Sequence, residues 1–358
     1  MVIFIGKIAM LNNLTGLRFY TALWVFLYHF CVYTGGMSNF FFKKGYLGVD
    51  IFFVLSGFIL TYAYHKSFFL EKVNTKKYYN FLVKRFAKIY PLQILTFCIV
   101  GVLLLVGKYV FHQKDLVIRP DHIVSNLLMI HAWNINDALS WNTHSWSLSD
   151  EWFAYIFLFV LAVFIVKMNK IIGRIALGLV VLFFILRWLN IDNFDLNLYT
   201  YNGLERIIPE FFLGVFIGLL RFDFDISKKF ASLIFGISVL TLFILTITDF
   251  KVDALCMLLF AGMIYSLSFP TYFDKLFNSK RMVYLGNISF AFYMFQLAAF
   301  YVFKPFQNYI GKLNVSESVF SPVEFLILFL INLAMASLAF KYFEEPVRLY
   351  LLKKMIKK

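Results

Sequence analysis

The chain is poor in charge: of its 358 residues 15% are Asp, Glu, Lys or Arg, where soluble domains carry about 25%. That scarcity, with 61% hydrophobic residues and a mean hydropathy of +0.76, excludes an ordinary soluble enzyme. Cysteine is scarce too. Cys31, Cys98 and Cys256 each sit inside an apolar run and none belongs to a CxxC pair, which leaves no disulfide framework or zinc knuckle to read. The motifs of soluble chemistry are missing: there is no GxSxG elbow, no Walker loop, no GxGxxG and no HExxH. Acidic residues are outnumbered, 20 against 34 Lys and Arg, for a net charge of +14. No soluble basic fold accompanies that excess, so nucleic acid is not an expected partner, and cytoplasmic loops of a membrane protein are the expected place for it.

Long apolar runs are what the chain does have. Ten stretches approach the ~20 residues that cross a ~30 Å hydrocarbon layer: 15–34, 47–64, 90–111, 151–167, 175–190, 207–220, 230–248, 254–270, 283–303 and 322–343. The expected fold is an all-α polytopic membrane protein of about ten transmembrane helices. With the N-terminus inside, most of the 34 Lys and Arg fall in inner segments and 8 in outer loops, while Arg18, Lys108 and Arg187 lie within or at the ends of spans. Cytoplasmic loops are enriched in these residues, so both termini are expected to be cytoplasmic. The apolar residues up to Met10 lack a small-residue cleavage site and read as a tail, not a signal peptide. Between His65 and Ile89 the chain is basic and carries Phe68, Phe69, Tyr78, Tyr79 and Phe81, which suits an amphipathic element in the interface. The outer segment 112–150 holds Trp133, Trp141 and Trp146. No repeat or separate soluble region is evident, so residues 1–358 are expected to form a single transmembrane domain with no fused soluble domain.

Ionisable groups within spans are costly, roughly 2.5 to 3.5 kcal/mol at the centre, and point to function by default. The first span holds Arg18 and His29, eleven residues apart. At ~100° per residue both lie on one helix face, roughly 16 Å apart along the axis. Asp50, Asp150 with Glu151, and Glu205, Arg206 with Glu210 open later spans at the outer level of His29. A His flanked by carboxylates suits a general base whose tautomer one of them holds. The alternative is a packed histidine, a snorkelling Arg18 and acids that offset helix dipoles. On the cytoplasmic side Lys84, Arg85 and Lys88 precede the third span. They suit either anchoring to anionic lipid or a phosphate-bearing ligand. The other histidines, His65, His112, His122, His131 and His144, fall outside the expected spans at no metal-ligand spacing, so no metal is expected.

These residues resemble a family, the integral-membrane acyltransferase family 3, O-acyltransferases of cell-surface glycans. Seven blocks carry the resemblance in order: LTGLRFYTALWVFLYH (14–29), GVDIFFVLSGFIL (48–60), KRFAKIYP (84–91), SWSLSDEWFAY (145–155), RIIPEFFLG (206–214), LGNISFAFYMFQ (285–296) and YFEEP (342–346). The resemblance implies an acyl-CoA donor, usually acetyl-CoA, entering from the cytoplasm, and an acceptor hydroxyl on a glycan or lipid-linked sugar, such as lipopolysaccharide O-antigen or exopolysaccharide, at the outer face of the inner (plasma) membrane. It implies His29 as catalytic base with Arg18 as its partner, and the basic block, Arg85 and Lys88 with Lys84 beside them, on the CoA phosphates. Asp50 joins the catalytic candidates. Trp146, Ser147, Glu151 and Arg206 are the acceptor-side candidates, with Trp146, Ser147 and Ser149 as candidate oxyanion donors. Two positions depart from the family pattern. Lys88 stands where Arg is common and lacks the bidentate fork, and Gln296 stands where relatives often carry His. A competing class is a proton-coupled transporter, which would also place Arg, His and Asp within spans, although no repeat relates the two halves. A glycan polymerase or ligase is a third.

Overall fold

The computed structural model describes residues 2–34, 40–113, 116, 118–190, 196, 203–248, 253–311 and 317–356, without the side chains of 2–10, 308–311 and 317–321. Among the described residues there is no strand. The long helices are α1 (Val2–Thr34), α2 (Gly48–Tyr64), α3 (Thr75–Tyr109), α4 (Thr143–Met168), α5 (Lys170–Leu189), α6 (Gly203–Asp223), α7 (Lys228–Ile247), α8 (Asp253–Leu267), α9 (Lys280–Gly311), α10 (Glu317–Ala339) and α11 (Glu345–Met355). Turns of wider pitch prolong α2 through Leu70 and join α10 to α11.

Every expected span falls on a helix. Among the described residues, seven stretches are long and apolar enough to cross a membrane: Phe40–Leu70, Thr75–Tyr109, Thr143–Met168, Lys170–Leu189, Lys228–Ile247, Lys280–Gln307 and Pro322–Met355. The other three expected spans lie on α1, α6 and α8. Of these α8 has just 15 residues, while α1 and α6 carry Arg18 with His29 and Glu205 with Arg206 and Glu210. The fourth span begins at Thr143, eight residues before its expected start. The basic segment before the third span forms no separate interfacial element either. From Thr75 it is continuous with α3, whose 35 residues extend ~52 Å at 1.5 Å per residue, well beyond the hydrocarbon layer.

Local sequence explains where helices begin. The Asn74 side chain accepts from the Lys77 amide, Asn169 from the Ile171 and Ile172 amides, and Ser227 from the Phe230 amide. Each satisfies donors that the first helical turn leaves without intrahelical partners. Small residues decide which helices meet. A Cβ at Gly57 would overlap the Phe211 carbonyl, and one at Gly214 would overlap the Val54 carbonyl. α2 and α6 therefore cross backbone to backbone, as small residues permit where lipid supplies no hydrophobic drive between helices. Phe26, Phe292 and Phe329 interlock α1, α9 and α10. The helices α5 and α7 turn residues such as Leu179, Phe183, Leu233 and Leu240 outward, as a lipid-exposed surface requires.

Candidate active site

His29 lies near the end of α1 with its ring inside the bundle. Nδ1 is 2.6 Å from Oε1 of Gln296 on α9, and the Gln296 Nε2 donates to the Ala22 carbonyl at 3.4 Å. The ring stacks on His144, centroids 3.9 Å apart and planes within 11°. His144 is buried in the first turn of α4, its Nε2 3.4 Å from the Tyr33 hydroxyl. The expectation of a carboxylate partner is corrected here: an amide oxygen holds His29.

The carboxylates gather instead on Arg206. Its guanidinium makes three hydrogen bonds of 2.9–3.0 Å to Asp50 and lies 4.9 Å from the Trp146 ring centroid. Asp50 and Arg206 are 0% and 1% exposed. Glu210, one turn beyond Arg206, comes within hydrogen-bonding reach of Asp50, and Asp150 sits against the Gly203 backbone at the start of α6, where a Cβ would meet its carboxylate. No donor group hydrogen-bonds to either oxygen of Asp150 or Glu210 among the described residues. Isolated buried charges are expensive, and one guanidinium cannot neutralise three carboxylates. The positive end of α6 lies beside the cluster and favours negative charge there. Glu205, by contrast, pairs with Arg187 at 2.7 Å on a part-exposed surface.

A cavity of about 150 Å³ runs from the basic block to the start of α4. Arg18, Arg85 and Lys88 contribute cations, and Ser147, Glu151 and Tyr293 contribute polar groups. This volume is below the ~300–1,000 Å³ of drug-sized ligand pockets and suits a slim chain better than a nucleotide. Glu151 accepts from the Ser56 and Tyr155 hydroxyls, and so belongs with Arg85 along this cavity, not at the level of Asp150. Lys88 is committed to an ion pair with the buried Glu344 of the YFEEP block. Arg85 lies 5.8 and 5.9 Å from the Tyr64 and Tyr155 ring centroids, its Nε without an acceptor. Lys84 points outward and lines none of the cavity.

His29 does not line the cavity. The link between them runs through Tyr293, whose hydroxyl donates to the His144 carbonyl at 2.7 Å and lies 3.0 Å from Ser147 Oγ. With its own proton on the carbonyl, Tyr293 accepts from Ser147, which leaves the Ser147 lone pairs toward the cavity. Ser149 is spent on structure: it donates to the Met129 carbonyl and accepts from the Ala132 amide, while Trp133 donates to its carbonyl at 2.8 Å. In the segment before α4 burial pulls the His131 imidazole down to about 4. Sequence reasoning missed His144 and Tyr293. The polar residues before the apolar run at 151 give His144 the look of a loop residue, and the one signal for it in the sequence is its place one residue before the SWSLSDEWFAY block. Tyr293 and Gln296 are three residues apart in one block, hence on one face of α9.

A family model described as "Acyltransferase domain" matches residues 11–341. The O-acetyltransferase OatA of Staphylococcus aureus (strain NCTC 8325 / PS 47) is 22% identical over 375 residues, which cover 94% of this chain and 57% of OatA. A further Staphylococcus aureus protein, from strain COL, is 24% identical over 378 residues, 96% of this chain and 58% of its own length. The acyltransferase MdmB of Streptomyces mycarofaciens is 32% identical over 168 residues, 42% of this chain and 38% of MdmB. The chain thus spans less than two thirds of the length of these relatives. No solved structure matches it.

Proposed function

The chain belongs to the acyltransferase domain family, and from that premise we propose that it is a multi-pass membrane O-acyltransferase. In this reading it takes an acyl group, in the first instance acetyl, from acyl-CoA on the cytoplasmic side. It delivers that group to a sugar hydroxyl of a cell-surface glycan, such as lipopolysaccharide O-antigen or exopolysaccharide. The ten-span arrangement with both ends cytoplasmic, in the inner membrane, belongs to this proposal. The observation that carries it is the cavity lined by Arg18, Arg85 and Lys88 together with Ser147 and Tyr293, the last of which donates to the carbonyl of His144, the residue stacked on His29.

Transfer from a thioester to a hydroxyl requires that the hydroxyl lose its proton as it attacks, that the oxyanion be stabilised, and that both substrates meet in one geometry. His29 takes the first role; a positioned base contributes about 10²- to 10⁴-fold. Arg85 and Arg18 are the cations left to meet CoA phosphates and align its arm, since Glu344 already neutralises Lys88. Ser147 lies where the thioester arrives. That two relatives of this chain are an O-acetyltransferase, OatA, and an acyltransferase, MdmB, favours acetyl or another acyl cargo over transport. Mass spectrometry of surface glycan from cells with and without the protein tests this: an acetyl-sized mass difference erased by mild alkali is expected, and identical glycans overturn it.

A further inference from the structure

We infer that Gln296 is the positioning residue that fixes His29 in its Nδ1-protonated form and leaves Nε2 as the basic nitrogen. This rests on the reading of His29 as the base, and goes beyond it by naming the atom that takes the proton and the residue that decides it.

The bond between Gln296 and His29, 2.6 Å long, joins a side-chain amide to a ring nitrogen that either donates or accepts. Which it does follows from the far end of the amide. The Ala22 carbonyl, 3.4 Å away, is an acceptor only, so the amide NH₂ must face it. A flipped amide would set Oε1 against that carbonyl, two acceptors together. Oε1 therefore faces His29, and an oxygen without a proton needs a donor. Nδ1 carries the hydrogen, and Nε2 keeps its lone pair.

Gln296 is fully buried and lies 267 residues from His29 in sequence, so the tautomer depends on how α9 crosses α1. The titratable groups around the ring are Tyr28 and Tyr33 on α1, at 5.3 and 6.3 Å, and His144 on α4, at 3.9 Å between centroids. No carboxylate or cation among the described residues pairs with the ring, so the amide is its single directional contact. A carboxylate in place of Gln296 would orient the ring in the same way and also stabilise the imidazolium. An alkyl chain would do neither.

The test compares the wild-type protein with Gln296→Leu, Gln296→Glu and His29→Ala, assayed in membranes with labelled acetyl-CoA and a surface-glycan acceptor, kcat and KM measured across pH. Gln296→Leu should lower kcat about tenfold or more with the donor KM unchanged. Gln296→Glu should keep much of the activity and move the acidic limb of the pH profile upward. Nitrogen-15 spectra of histidine-labelled wild type in lipid should show a protonated Nδ1 and a bare Nε2 on His29, assigned by the signal lost in His29→Ala. This last readout stands even if both Gln296 variants fail to fold. Protonated Nε2 in the wild type, full kcat in Gln296→Leu, or a Gln296→Glu pH profile that matches wild type overturns the inference. Full activity in His29→Ala overturns instead the reading of His29 as base.

Discussion

Replacing Arg206 by Met should damage the protein far more than replacing Asp50 by Asn, although the two form one ion pair. The guanidinium is 1% exposed and makes three short hydrogen bonds to Asp50 while packing against Trp146. Met fills the volume but strands Asp50 beside Glu210 and Asp150 with no cation. Breaking a buried pair by removal of one partner costs about 3–5 kcal/mol, which corresponds to a fall in Tm of about 4–7 °C for a chain of this size. Asp50→Asn keeps the shape and an oxygen acceptor, and Glu210 and Asp150 remain beside Arg206 as neighbouring carboxyls; about 1–2 kcal/mol is expected. Thermal unfolding of the purified proteins in detergent, followed at constant protein and lipid, measures both. A Tm for Asp50→Asn as low as that of Arg206→Met, or an unshifted Tm for Arg206→Met, refutes the shared-cation account. Acyl transfer by the folded Asp50→Asn protein adds a second answer: lost turnover at retained Tm places Asp50 in the chemistry, and retained turnover leaves it to structure.

Gly57→Leu should separate α2 from α6, because the added side chain meets the Phe211 carbonyl; a loss of about 1–3 kcal/mol is read as a lowered Tm. Arg85→Ala should raise the donor KM more than the acceptor KM, and equal shifts would remove it from the CoA phosphates. Between pH 6.5 and pH 4 the unfolded chain binds a proton at His131 that the folded chain refuses, since burial holds that imidazole at about 4. Its contribution is intact above pH 6.5 and is lost as pH falls toward 4. His131→Gln should flatten that part of the Tm-against-pH curve, and an unchanged curve would contradict the assignment.

Which parts were legible in the sequence follows from range. The ten apolar stretches report local composition, and each falls on a helix. Depth matching placed Asp50 and Arg206 at one level, and the structure joins them. It could not say that they would find each other instead of His29, because that depends on how α2 and α6 approach through Gly57 and Gly214. Gln296 drew notice in the sequence as a departure from pattern and a loss of a titratable group, yet its contact with His29 spans most of the chain. The Lys88 partner is likewise remote: Glu344 lies 256 residues away. The early start of α4 hid His144, since Ser, Asn and Thr around it are polar enough to mask a helix whose first turn is buried by neighbours rather than by lipid.

The most direct measurement is release of free CoA from labelled acetyl-CoA by inside-out membranes holding equal amounts of wild-type or His29→Ala protein, with and without glycan acceptor. Acceptor-dependent release by the wild type and background release by His29→Ala is the predicted result. Wild-type turnover by His29→Ala would contradict a base at that position.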